Sequence, residues 1–127
     1  MDKWYSKLPA HRLLALLLWG EARGEILTGI VAVANVVRNR MIHYRWPHRM
    51  PEVILQPSQF EGLKALGSQP FDPGEPFDTV AKLCVLGLLK DNTGGSTHFI
   101  AKGADAYWEP MLKFRGSIGN HDFYEEE

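Results

Sequence analysis

Apolar residues fall in three blocks, each repeating with helical spacing. In the first, Leu13, Leu16 and Leu17 form one stripe, which Leu14 and Leu18 widen. This predicts a nearly all-round apolar, central helix from Pro9 to about Trp19. Pro9 suits its first turn, where a missing N–H costs nothing. Gly20 and Gly24 loosen its exit. The second block, Ile30, Val33, Ala34, Val37 and Met41, predicts a helix that Thr28 caps and that stops before Pro47. Asn35, Arg38 and Asn39 mark its polar side. The third block runs from Asp78 or Thr79 through Val80, Leu83, Cys84, Leu86, Leu88 and Leu89. It ends at the stop signal Asp91-Asn92-Thr93-Gly94-Gly95.

Other stretches lack this repeat. Glu52–Leu55 reads as a single helical turn. Residues 57–76, rich in Pro, Gly, Ser, Gln and Asp, read as a long surface loop pinned by Phe60 and Phe71. Loops of that length in compact domains are often functional. Beyond Gly95 the texture shortens: Thr97-His98-Phe99-Ile100 and Asp122-Phe123-Tyr124 read as strands of a small antiparallel region beside the helices. The expected fold class is α+β, mainly α, in a single domain over residues 1–127.

Composition narrows the function. A chain of 127 residues with 45% apolar and 23% charged residues is an ordinary single domain. A formal net charge of −1 argues against bulk, charge-driven binding to nucleic acid or membrane. Charge is uneven, however. Arg38, Arg40, Arg45 and Arg49, with His43 and His48, occupy a segment without an acid. That segment supports the alternative of a non-enzymatic binding module for an anionic partner, although it carries no base-reading motif. The lone Cys84 forbids an internal disulfide, and among Val80, Leu83 and Val85 it reads as a buried, inert thiol. The histidines show neither HExxH nor CxxC spacing, so no metal and no cofactor are expected. The leucine run is too short to span a bilayer, which leaves no membrane insertion. It also lacks the pattern of a signal peptide.

Chemistry gathers in Trp19-Gly20-Glu21-Ala22-Arg23-Gly24-Glu25. A carboxyl set against so much leucine stays at the surface, pairs with a cation, or is used with a raised pKa. Glu21 and Glu25 would share a helix face at about 5–6 Å, but Gly24 favours a splayed pair. On spacing alone, both equally fit solvated carboxylates or partners of Arg23. Asp72, Asp105 and Glu109 are further acids within possible reach of a cleft.

Beyond that heptapeptide, Leu17-Leu18-Trp19-Gly20-Glu21-Ala22-Arg23-Gly24-Glu25, then residues 29–40, then Gln59-Phe60, then Ile118-Gly119-Asn120-His121-Asp122-Phe123 together resemble the SleB-type spore cortex-lytic, cell wall hydrolase family. The resemblance spans about Leu13 to Tyr124. It implies a lysozyme-like fold that cleaves peptidoglycan glycan strands at N-acetylmuramic acid–N-acetylglucosamine bonds. It implies a lytic transglycosylase in which Glu21 is general acid and base. A muramidase using Glu21 plus a second carboxylate, with Glu25 nearest in sequence, is the alternative. For sugar contacts the resemblance and the need for flat faces point to Gln59, Phe60, His98, Tyr107 and Trp108. His121 is expected to be a structural hydrogen-bonder, and Phe99 and Phe123 to be core. The chain departs from relatives at Thr97-His98-Phe99, where they show tyrosines. A monomer is expected, made in the cytoplasm and reaching the wall through another protein, as phage lysins do.

Overall fold

A computed structural model describes residues 3–57 and 59–127. Met1, Asp2 and Ser58, the last inside the expected 57–76 loop, lie outside the described residues. Helix α1 (Ala10–Ala22) is the axis of the molecule, with Leu13 to Leu18 all buried. Around it pack α2 (Leu27–Ile42), the short α3 (Met50–Ile54), a 3-10 turn (Glu61–Leu66) and α4 (Phe77–Val85). The residues at the N-cap positions of α1, α2 and α4 make no side-chain cap bond, although Glu75 Oε1 accepts the Thr79 N–H in the first turn of α4 at 2.8 Å. Burial of their apolar faces stabilises these helices more than end chemistry does. A three-stranded antiparallel sheet, β1 (His98–Ala101), β2 (Lys113–Ile118) and β3 (His121–Glu125), lies beside the helices in the order β1-β3-β2. Phe123 of β3 packs into Ala32 and Val36 of α2 and joins the two layers. The α+β, mainly helical class agrees with the sequence pattern.

Several boundaries differ. Helix α1 runs through Gly20 and Glu21 to Ala22 instead of ending at Trp19. Helix α2 begins at Leu27 behind Ile26, so Thr28 is inside it and caps nothing. The 57–76 loop contains the 3-10 turn, with Phe60 buried and Phe71 wedged between Trp4 and Trp19. Helix α4 stops at Val85, although leucines continue the repeat. Gly87, at φ +73°, takes the left-handed conformation; its N–H donates to Cys84 O, and that of Leu88 donates to Leu83 O. This paired-bond terminus overrides hydrophobic spacing and leaves Leu86 and Leu88 68% and 67% exposed. Strand β2 has no apolar alternation; it is an edge strand with a register shift between Phe114 and Gly116, which periodicity does not reveal.

The polar side of α2 is not solvated. Asn35 Nδ2 donates to Lys90 O and Asn92 Oδ1, each at 3.1 Å. Asn39 Nδ2 donates to Ser96 O at 2.9 Å. Asp91 accepts the N–H groups of Thr93 and Gly95 at 2.9 and 2.8 Å. These bonds fix the 91–97 connection against α2, and so fix where the sheet begins.

The tightest helix contact is backbone on backbone. A Cβ built on Gly20 would lie 2.2 Å from Gly62 O, and one on Gly62 would lie 2.7 Å from Glu21 Cγ. Side chains at either position would push the 3-10 turn off α1. A Cβ on Gly24 meets nothing within 4 Å. Gly20→Ala is therefore expected to destabilise by at least about 1–3 kcal/mol, the range for overpacking. Gly24→Ala should be near neutral. Thermal denaturation followed by circular dichroism distinguishes the two, and equal melting points would refute the close contact.

Candidate active site

Glu21 occupies the last turn of α1, next to the 3-10 turn. Its Oε1 accepts the Gly62 N–H at 2.8 Å. Burial raises the carboxyl above the usual range. That effect outweighs the Gly62 hydrogen bond and the positive potential of His121 and Arg40, while the nearby Glu61 adds to the rise. A carboxyl in this state keeps its proton to higher pH than a free glutamate, as a general acid must.

Glu25 has the opposite environment. It sits in the corner between α1 and α2, with its side chain 5% exposed. Oε1 accepts the Asn120 N–H at 2.8 Å and lies 3.0 Å from His121 Nδ1; Oε2 accepts Asn120 Nδ2 at 2.8 Å. Burial alone would raise this carboxyl, but the bonds from Asn120 and His121 outweigh it and hold its pKa below the ordinary value. The β2–β3 turn is thereby hooked to the α1–α2 corner. The hook needs Gly119, at φ +58°, where a Cβ would come within 2.9 Å of Glu25 Oε1. Arg23 pairs with neither glutamate: it is exposed and its Cζ lies 4.1 Å over the Trp19 ring.

A buried cation, Arg40, also acts on Glu21; it is 4% exposed. Nε donates to Thr97 O at 2.6 Å and Nη1 to Gln59 Oε1 at 3.1 Å. The guanidinium lies 5.2 Å from the Trp46 ring and 4.8 Å from the Phe60 ring. From Trp46 a row of rings leads outward across β1 and β3. His98 is 5.7 Å from Trp46, Trp108 is 4.9 Å from His98, and Tyr124 is 5.2 Å from Trp108. Burial, Arg40 and His43 together push the His98 pKa down to about 4, so its ring is neutral at pH 7.

The expected sugar contacts thus take different places. His98 and Trp108 share the half-buried aromatic row. Gln59 is exposed and bonded to Arg40. Tyr107 is 85% exposed at the rim. Phe60 is 6% exposed and packs beneath Arg40, so it forms the floor and offers no face to a sugar. Among the other acids, Asp72 neighbours Arg12 and Lys82. Arg12 lies nine residues back along α1 from Glu21, about 14 Å at helical rise. Glu109 accepts the Ala106 N–H at 2.7 Å and the Tyr124 hydroxyl at 3.3 Å; Asp105 is exposed. His121 is a hydrogen-bonder to Glu25, as expected. Cys84 is buried, with its thiol pushed up to about 11 by burial.

The basic strip from Arg38 to Arg49 is not one surface. Arg40 points inward, Arg38 lies against Gly87, and Arg45 is 2.9 Å from Glu126. A binding module built on that strip has lost its continuous charge. Sequence reasoning missed Arg40, Trp46, Gly62 and Tyr124 as parts of the site. For Arg40 a signal existed: Ile30, Val33, Val37 and residue 40 continue one stripe, and a cation in an apolar stripe is a candidate buried charge.

The model of the cell wall hydrolase family matches residues 24–124. The chain belongs to the cell wall hydrolase family. The matched segment begins three residues after Glu21, so the role of that residue rests on its own geometry. Among relatives, the spore cortex-lytic enzyme of Halalkalibacterium halodurans is 35% identical over 118 residues, covering 88% of this chain and 33% of the relative. That of Bacillus cereus is 33% identical over 118 residues, covering 88% and 42%. The chain thus spans about a third to two fifths of the length of these curated relatives. The catalytic domain of the Bacillus cereus SleB protein superposes with a TM-score of 0.79 at 27% identity, over 98% of this chain and 93% of that one. The catalytic domain of the germination-specific lytic transglycosylase SleB from Bacillus anthracis gives 0.80 at 28% identity, over 98% and 100%. Among the described residues, no helix is long and apolar enough to cross a membrane.

The opposed shifts of the two glutamates give opposite pH dependences of stability. Glu25, depressed when folded, stabilises the fold above its unfolded value near 4.5, and this contribution is lost as pH falls through the lower folded value. Glu21, raised when folded, favours folding below about 4.5 and costs stability as it ionises at higher pH. At pH 7, Glu25→Gln should cost about 1–3 kcal/mol, the scale of charged hydrogen bonds, and Glu21→Gln should stabilise. Both differences should fade below about pH 4. Urea unfolding at pH 7 and pH 3.5 checks this, and a destabilising Glu21→Gln at pH 7 would contradict it.

Proposed function

We propose that this chain cleaves the glycan strands of peptidoglycan at N-acetylmuramic acid–N-acetylglucosamine bonds, as a lytic transglycosylase with Glu21 as its acid and base. The observation that carries this reading is the division of labour between the two glutamates. Glu21 is the desolvated carboxyl, and both oxygens of Glu25 already hold the β2–β3 turn. The Bacillus anthracis neighbour is a lytic transglycosylase, which supports the same chemistry.

In this mechanism Glu21 gives its proton to the glycosidic oxygen as the bond from that oxygen to the muramoyl anomeric carbon breaks. Positive charge develops on the sugar ring. The muramoyl 6-hydroxyl oxygen then attacks the same carbon, and its proton returns to the Glu21 carboxylate. The product is an anhydro ring with no water consumed, and one carboxyl serves both steps. An inverting muramidase needs a second carboxylate free to activate water at about 6.5–9.5 Å. Glu25, with its lone pairs committed to three donors, is poorly suited to that task. The half-buried row of Trp46, His98, Trp108 and Tyr124, which starts against Arg40, supports a sugar-binding wall.

The test uses purified sacculi. The unaltered protein should release fragments ending in anhydro-muramic acid, identified by mass spectrometry. Glu21→Gln, correctly folded, should lose at least about a hundredfold in turnover, the scale of a lost general acid. Reducing ends in place of anhydro ends would replace the transglycosylase by the muramidase. Near-normal turnover by the folded variant would remove Glu21 from the mechanism.

A further inference from the structure

Arg40 is nearly inaccessible to solvent, yet its hydrogen bonds run to Thr97 O and Gln59 Oε1 and not to a carboxylate. A buried cation without a directly bonded counter-ion is costly. Burial does depress it, to about 10, while the Glu21 carboxylate opposes that depression. It remains charged at neutral pH. Its contacts converge on the segment that touches the acid. Arg40 grips Gln59 and lies against the ring of Phe60; two residues on, Gly62 puts its N–H on Glu21. Through Thr97 it also holds the start of β1, which carries His98.

We propose that Arg40 is the positioning residue of this site: it clamps residues 59–62 over Glu21 and supplies the fixed positive charge against which the Glu21 carboxylate forms. This rests on the assignment of Glu21 as the acid. As the proton leaves, a negative charge appears in a poorly solvated place. A cation already held in position stabilises it without reorganisation at the moment of reaction. The groups acting on Glu21 are the Gly62 N–H, His121, Glu61 and Arg40. Those acting on Arg40 and its surroundings are Glu21 and the neutral His98. Of these, only Arg40 is a permanent cation.

The test separates position from charge and does not depend on activity alone. In carboxyl 13C NMR titration, the Glu21 midpoint should rise in Arg40→Gln by at least about half a pH unit, a threefold change in proton affinity. Arg40→Lys, which keeps the charge, should stay closer to the unaltered protein. On sacculi, the alkaline limb of the pH–rate profile of Arg40→Gln should move up with the midpoint, and maximal turnover should fall. A purely structural arginine would lower turnover without moving the limb. If Arg40→Gln does not fold, the reciprocal measurement applies, because coupling acts equally on both partners. Glu21→Gln should lower the midpoint of Arg40 in guanidinium 15N titration. An unmoved Glu21 midpoint in folded Arg40→Gln, or an unmoved Arg40 midpoint in Glu21→Gln, overturns the proposal. A moved midpoint with full activity in Glu21→Gln would spare the coupling and refute the assignment of the acid.

Discussion

Everything at this site depends on the close passage of two backbones, α1 at Gly20 and the 3-10 turn at Gly62. With no side chain at either position, a carbonyl and an N–H come to the very end of a helix that is otherwise sheathed in leucine. The N–H lands on Glu21. The carboxyl is therefore neither free in water nor locked in an ion pair. It is held by one neutral donor in a place that penalises its charge, which is the environment that lifts a glutamate toward the role of a proton donor. Larger residues at the crossing would admit water and restore an ordinary carboxylate.

A second constraint sets the other wall. The turn from β2 to β3 is tied by three hydrogen bonds to Glu25, only four residues from Glu21. The sheet is thus anchored to the same corner that carries Glu21, so helices and strands meet beside that carboxyl. Two carboxyls close in sequence acquire opposite protonation behaviour because one meets several donors and the other meets one. Proximity in sequence gives them a common location, and the donors decide their protonation.

The helical scaffold was readable because its signal is redundant: the leucine stripe from Leu13 to Leu18, the Pro9 start and the length of the apolar block all favour a buried helix over a strand. Ends were less readable. The Gly87 terminus stops α4 through backbone bonds that hydrophobic spacing does not encode. Strand β2, exposed and bulged, has little burial to imprint on its sequence. Among site residues, Glu21 stood out because a carboxyl beside so much leucine needs a reason. Arg40 lies in the acid-free run from Arg38 to Arg49, where its likeness to the neighbouring arginines hides its place in the Ile30–Val37 stripe. Gly62 gave no signal, because its role is a contact made by lacking a side chain.

The fold, not composition, sets the two glutamates' opposite protonation behaviour. The most direct measurement is a carboxyl 13C NMR titration of the unaltered protein with both glutamates assigned. Glu21 should titrate above the ordinary value of 4.5 and Glu25 below it. Two glutamates titrating together near 4.5, or Glu25 above Glu21, would contradict it.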